Sequence, residues 1–169
     1  MLIGIMSDSH DNLPAIREAI AILKEKNVEK ILHLGDIVSP FTIKHFKDVA
    51  KIMTGIFGNN DGDKYTLNSM FSKHGAMLSE SPLELVIEDK KFLLIHGFRS
   101  PQTTKYFVES LAKNKEYDVI LYGHTHELDI RMIENTQIIN PGEVCGYLTG
   151  RRTLVTYDSK TGKIDSIEF

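Results

Sequence analysis

Short apolar runs alternating with polar turns set the rhythm of this chain. LIGIM (2–6) is continuously apolar and predicts a buried strand, and the stretch from Leu13 to Lys26 follows with apolar residues at helical spacing through Ile16, Ile20 and Leu23. Asn12 is placed to cap that helix, and Pro14 suits its first turn. KILHL (30–34) predicts a second strand, followed by a polar turn and a helix through Ile43 and Phe46; KIMTGIF (51–57) predicts a third strand. Strand, loop and helix in repetition predict a parallel α/β sheet for the opening third.

From about Ala76 the pattern changes. LELVIE (83–88), a charged turn at Asp89-Lys90 and KFLLIH (91–96) predict a hairpin. Helical spacing returns from Thr103 to Ala112, and DVILY (118–122) predicts another buried strand. LDIRMIE, TQIIN, RTLVTYD and KIDSIEF then read as short strands, with turns at Glu134-Asn135 and at Lys160 to Gly162. Strands at both ends of the sequence predict two packed sheets with helices outside. There is no internal repeat, low-complexity tract or linker, and 169 residues of which 41% are hydrophobic can bury one substantial core, so a single domain over 1–169 is expected.

Composition narrows the setting. The apolar run at the N-terminus is far shorter than a signal peptide requires, and no stretch approaches the roughly 20 apolar residues that span a bilayer, so a cytoplasmic protein without membrane association is expected. One cysteine, Cys145, excludes an internal disulfide and a multi-cysteine zinc cluster, and reads as a small buried side chain. Twenty Lys and Arg against 23 Asp and Glu give a net charge of -3, which argues against broad binding to nucleic acid or anionic lipid. An anionic substrate would therefore need a local attraction.

The chemistry sits where the strands end. Asp8 and His10 follow LIGIM, Asp36 follows KILHL, Asn59, Asn60 and Asp61 follow KIMTGIF, His96 ends KFLLI, and His124 and His126 follow DVILY. Ligands of open α/β sheets bind beyond the carboxyl ends of strands, so these endings can converge on one point. Taken singly, each motif has a plainer explanation: Asp8 to Asn12 as a solvated turn, Gly35-Asp36 as an ordinary strand-to-helix turn, Gly58 to Asp63 as a polar loop, His96 as a core histidine. His124-Thr125-His126 is harder to explain away, since alternate residues beyond a buried strand can aim two imidazoles at neighbouring ligand positions. His33, inside the second strand, reads as a core residue, and His45 and His74 as surface helix residues.

In this order, Asp-x-His, Gly-Asp, Gly-Asn-x-Asp, His-Gly and Gly-His-x-His resemble the calcineurin-like metallophosphoesterases, with Asn140-Pro141-Gly142 matching a further loop of that family. The short length and lack of a cap domain are similar to the small bacterial and archaeal phosphodiesterase branch. The resemblance implies a four-layer αββα sandwich of two mixed sheets flanked by helices. It also implies a dinuclear site in which Asp8, His10 and His126 hold one metal, Asn59, His96 and His124 hold the other, and Asp36 bridges them. Asp36, Asn60 and Asp61 are then the candidate catalytic residues, with Asp61 supporting the ligands from behind.

That ligand set suits two divalent ions, manganese or nickel first, with cobalt, iron or zinc as further candidates, over calcium or magnesium. The implied reaction is hydrolysis of a phosphodiester by a hydroxide held on the metal pair, broad in specificity, with small and nucleotide-derived diesters as candidate substrates. Many relatives carry a histidine where this chain has Asn60, and an amide cannot donate a proton to a leaving group. The competing expectation is a metal-binding scaffold for protein contacts, like the retromer subunit that resembles this family. Exposed sheet edges leave room for homo-oligomers. Arg99, Lys105, Arg151 and Arg152 are candidate contacts to the substrate's second ester group, Arg99 first.

Overall fold

Alternate residues of β1 (Leu2–Met6) enter two different cores, which is why the run is apolar throughout. The structure, a computed structural model describing residues Met1–Phe169, consists of two mixed sheets with helices on both outer faces. The chain continues through α1 (Leu13–Glu25), β2 (Lys30–His33), a 3-10 turn (Pro40–Thr42), α2 (Ile43–Phe46), β3 (Met53–Ile56), α3 (Lys64–Ser72) and β4 (Met77–Ser79). It then forms β5 (Leu83–Ile87), β6 (Lys90–Ile95), α4 (Pro101–Lys113), β7 (Val119–Tyr122), β8 (Leu128–Ile133), β9 (Thr136–Pro141), β10 (Thr153–Asp158) and β11 (Ile164–Glu168). The first sheet has the order β11-β10-β1-β2-β3-β4 and the second β5-β6-β7-β9-β8.

Three separate apolar clusters mark the boundaries of four layers. One joins α1, α2 and α3 to the outer face of the first sheet, through Ala15, Ile16, Leu23, Phe46 and Phe71 against Met6, Ile31 and Met53. The second lies between the sheets and takes Ile3, Ile5 and Leu32 from one, Phe92, Leu94 and Leu121 from the other. The third packs Val108 and Ala112 of α4 on Leu93, Ile95, Ile120 and Tyr122. Each fully buried Leu, Ile or Phe stabilises by about 1.5–3 kcal/mol, so the inter-sheet cluster alone fixes how the sheets face each other.

The strands β1, β2 and β3 run parallel, as do β6, β7 and β9, so the loops after β1, β2, β3, β6 and β7 all leave from carboxyl ends. Asn12 caps α1 by accepting from Ala15 N. Four local expectations are revised. Residues 50–52 form a 3-10 turn, so the third strand starts at Met53; α2 is a single turn; Lys90 already pairs with Ile87, which moves the hairpin turn to Glu88-Asp89; and His74 lies in the turn after α3. Two elements had no expectation: α3, capped by Asp63 but burying only Leu67 and Phe71, and the three-residue edge strand β4. No helix is long and apolar enough to cross a membrane.

Candidate metal centre

Backbone bonds between loops assemble the site before any side chain takes part. Asp8 N donates to Gly35 O and His10 N to Asp36 O, binding the loop after β1 to the loop after β2; Val144 N and Cys145 N brace the first loop from the other side through Ser7 O and Asp8 O. Asp8 Oδ2 accepts from His124 N, which brings in the loop after β7. Asn140, fully buried, donates its amide to Gly123 O and Thr125 Oγ1 and accepts from Gly142 N, holding that loop against β9. Five of the seven candidate ligands, Asp8, His10, Asp36, His124 and His126, have positive φ, between 39° and 68°. Left-handed backbone at a non-glycine residue costs of order 1–3 kcal/mol and persists only where surrounding contacts impose it.

The side chains meet in two overlapping groups. In the first, Asp8 Oδ1 lies 3.4 Å from His126 Nε2 and 3.8 Å from His10 Nε2. In the second, Asn59 Oδ1 lies 3.1 Å from His96 Nε2 and 2.8 Å from His124 Nδ1. Asp36 Oδ2 belongs to both, 3.3 Å from His10 Nε2 and 3.4 Å from His96 Nε2.

The outer ring nitrogens decide what those contacts are. His96 Nδ1 faces Leu34 O at 2.7 Å and His124 Nε2 faces Arg99 O at 2.8 Å. Carbonyls only accept, so both nitrogens carry hydrogen, and in the neutral rings lone pairs on His96 Nε2 and His124 Nδ1 point at the Asn59 oxygen. His126 Nδ1 lies 2.7 Å from Glu143 Oε2, which leaves its Nε2 facing Asp8. Asp8 Oδ1 and His10 Nε2 are buried with no hydrogen-bond partner. Acceptors facing acceptors need a cation between them. Ligand bonds of about 2.1 Å put neighbouring donor atoms roughly 3.0–3.4 Å apart, which matches most of the distances above, so the residues present fit divalent metal.

The protonation equilibria reflect the same geometry. Burial works against the charged form of His96, but its hydrogen bond to Asp36 and the charges of Asp8 and Asp36 outweigh that, and its pKa is raised; His10 is raised against burial by Asp8 and Asp36. Burial would raise Asp36, yet His96 and the amide of Asn60 hold its carboxyl well below the usual carboxylate range. The pocket is selective for positive charge in whatever form it arrives.

Around this cluster the remaining candidates separate. Asn60 Nδ2 donates to Asp36 Oδ2 at 2.7 Å. Asp61 stays behind the cluster: its oxygens accept from the backbone N–H groups of Asp36, Val38 and Gly58, while burial raises its pKa. His33 is fully buried, accepting from Gly35 N and donating from Nε2 to Ser9 Oγ. Lys105, Arg151 and Arg152 are engaged with Glu127, Glu168 and Glu18, whereas Arg99 is exposed beside His124. Cys145 is buried near His10 and His126, and burial together with Glu143 pushes its thiol up. Glu143 itself carried no expectation. Its sole trace in the sequence is an acidic residue directly after Asn140-Pro141-Gly142.

A model of the calcineurin-like phosphoesterase superfamily domain matches residues 1–162. A phosphodiesterase of Methanocaldococcus jannaschii is 40% identical over 161 residues, covering 95% of this chain and 94% of that one. The structure of an archaeal phosphodiesterase superposes with a TM-score of 0.91 at 38% identity, covering 100% of both chains. The E. coli phosphoesterase Yfce, at 18% identity and TM-score 0.73, covers 99% of this chain and 98% of its own. The zinc complex of Vps29 from Entamoeba histolytica, at 16% and 0.67, covers 100% and 98%. These last two share the fold.

Proposed function

We propose, from the premise that the chain belongs to the calcineurin-like phosphoesterase superfamily, that this metal-dependent phosphoesterase is a phosphodiesterase working with two divalent cations. The observation that carries the second cation is the position of Asp36 Oδ2 between His10 Nε2 and His96 Nε2, because a single carboxylate oxygen shared by two ligand groups is what a metal pair requires. Asp8, His10 and His126 would hold one ion, Asn59, His96 and His124 the other, and Asp36 both. The neutral Asn59 limits the anionic count and leaves the pair net positive, which supplies the local attraction that an acidic chain otherwise lacks. When bound, the ions activate water and neutralise charge on the phosphoryl oxygens.

The protein's own part is orientation. Leu34 O, Arg99 O and Glu143 fix the rings of His96, His124 and His126, and Asn60 holds Asp36 by two hydrogen bonds. Arg99 is the cation left to meet the non-reacting ester group. Manganese or nickel head the candidate ions, with cobalt, iron or zinc behind them. The second reading, a metal-loaded scaffold for protein contacts, draws on Asn60, which offers no acid, and on the fold shared with Vps29.

The test is hydrolysis of bis(p-nitrophenyl) phosphate and p-nitrophenyl phosphate by metal-stripped protein, with each ion added back and Asp36→Ala as control. Diester cleavage that requires metal and disappears in Asp36→Ala supports the phosphodiesterase. Folded, metal-loaded protein inert to every diester selects the scaffold.

A further inference from the structure

Glu143 is fully buried, yet its carboxylate accepts six donors. Oε2 takes His126 Nδ1 at 2.7 Å, Cys145 Sγ at 3.0 Å and Tyr147 N at 2.9 Å, while Oε1 takes Leu148 N at 3.0 Å, Thr149 N at 2.6 Å and Thr149 Oγ1 at 2.7 Å. Three of the donors are backbone N–H groups that can only donate, and with the thiol and hydroxyl they fill both oxygens, which is the environment of an ionised carboxylate. An ionised carboxylate only accepts, so the proton of a neutral His126 sits on Nδ1.

We propose that Glu143 is a positioning residue for the metal centre, fixing His126 in the Nδ1–H tautomer and clamping that ring to the segment Cys145–Thr149. The inference rests on the phosphoesterase reading, but concerns a residue that no ligand pattern includes. An unrestrained histidine favours the Nε2–H tautomer, which would aim a proton, in place of a lone pair, at Asp8 Oδ1 and its neighbours. In this site the carboxylate excludes that tautomer, and it also fixes the ring plane, which stacks on His10 with centroids 5.2 Å apart. The four bonds from backbone N–H groups and the hydroxyl of residues 147–149 make Glu143 itself immobile, so its hold on His126 costs no further ordering on metal binding. Outer carboxylates of this kind are typically worth 10–100-fold in metal affinity.

Two readouts test it. In wild-type protein stripped of metal, at a pH where imidazoles are neutral, ¹⁵N NMR of His126 should show hydrogen on Nδ1 and none on Nε2. Hydrogen on Nε2 overturns the proposal without any variant having to fold. In Glu143→Ala, the Kd for manganese should rise 10–100-fold and the His126 nitrogens should move toward the mixed tautomers of a free ring. A folded variant with wild-type Kd and unchanged His126 shifts would show that Glu143 anchors the segment after β9 and nothing more. Wild-type protein that binds none of manganese, nickel, cobalt, iron and zinc would defeat the phosphoesterase reading instead, leaving the tautomer result to decide the role of Glu143.

Discussion

The side-chain amide of Asn60 donates to Asp36 Oδ2 at 2.7 Å, and its backbone N–H donates to Oδ1 of the same carboxylate at 2.8 Å. Both of its short contacts thus serve the Asp36 carboxylate, and the side chain has no proton to give a leaving group. General acid catalysis is commonly worth about 10²- to 10⁴-fold. The metal-loaded enzyme should therefore show a steep fall of kcat/KM as the pKa of the leaving alcohol rises, with nitrophenyl diesters cleaved and alkyl diesters nearly inert. A series of aryl and alkyl diesters measures this; a flat dependence would sink it.

Gly58 has no room for a methyl group. A Cβ there would lie 2.1 Å from Asp36 Oδ1 and 2.5 Å from Asp36 N, so Gly58→Ala must displace the shared carboxylate and break its link to Asp61. Overpacking of this kind costs about 1–3 kcal/mol. Urea unfolding should show that loss together with a weakened metal isotherm, whereas Gly62→Ala, with nothing within 4 Å, should leave both unchanged.

Which of these features could be read from the sequence follows from the forces involved. The strands were legible because residues such as Ile3, Leu32, Phe92 and Leu94 are buried deeply enough to leave uninterrupted apolar runs. The polar residues beyond those runs gave the candidate ligands, since a strand end is a position that one-dimensional order preserves. Helix α3 was not legible, because only Leu67 and Phe71 of its nine residues are buried and the periodicity is faint. Nor was β4, where Met77–Ser79 is ordered by pairing with β3 and not by its own composition. At the site, the left-handed backbone of Asp8, Asp36 and His126 is imposed by bonds between loops far apart in sequence. Glu143 was invisible for the same reason: its meaning comes from the donors that fold around it.

His33 should make stability depend on pH in a defined window. Full burial, partly opposed by Asp8, lowers its pKa from the ordinary 6.5 to about 4. The unfolded chain therefore takes up the proton first, so the contribution of neutral His33 is complete above about pH 6.5 and is lost as pH falls toward 4. At about 1.4 kcal/mol per pH unit, the full loss is about 3 kcal/mol. Comparing metal-free wild type with His33→Gln by urea unfolding cancels the titrations common to both. The stability difference should shrink between pH 6.5 and 4; a difference independent of pH in that interval would show that His33 is not held neutral.

Metal should stabilise the fold more than one ordinary ligand would. Without it, Asp8 Oδ1 and His10 Nε2 lie buried and unpartnered, and the lone pairs of His96 and His124 face Asn59 Oδ1, all costs that a cation removes. Ligand at 100 times its Kd adds about 2.7 kcal/mol per site, so two occupied sites add about 5 kcal/mol. For a domain of this length each kcal/mol moves Tm by roughly 2–4 °C, giving a rise of roughly 10–20 °C. Calorimetry with manganese or nickel should show that rise, and titration should give two equivalents. Asp36→Ala removes the one oxygen common to both groups, so its rise should be well under half of wild type, because each ion loses a ligand and neither screens the other's neighbours. A wild-type Tm that ignores every divalent ion would mean that the facing acceptors are satisfied by protons on His10 and His96, and that this chain has kept the geometry of a metal centre without its affinity.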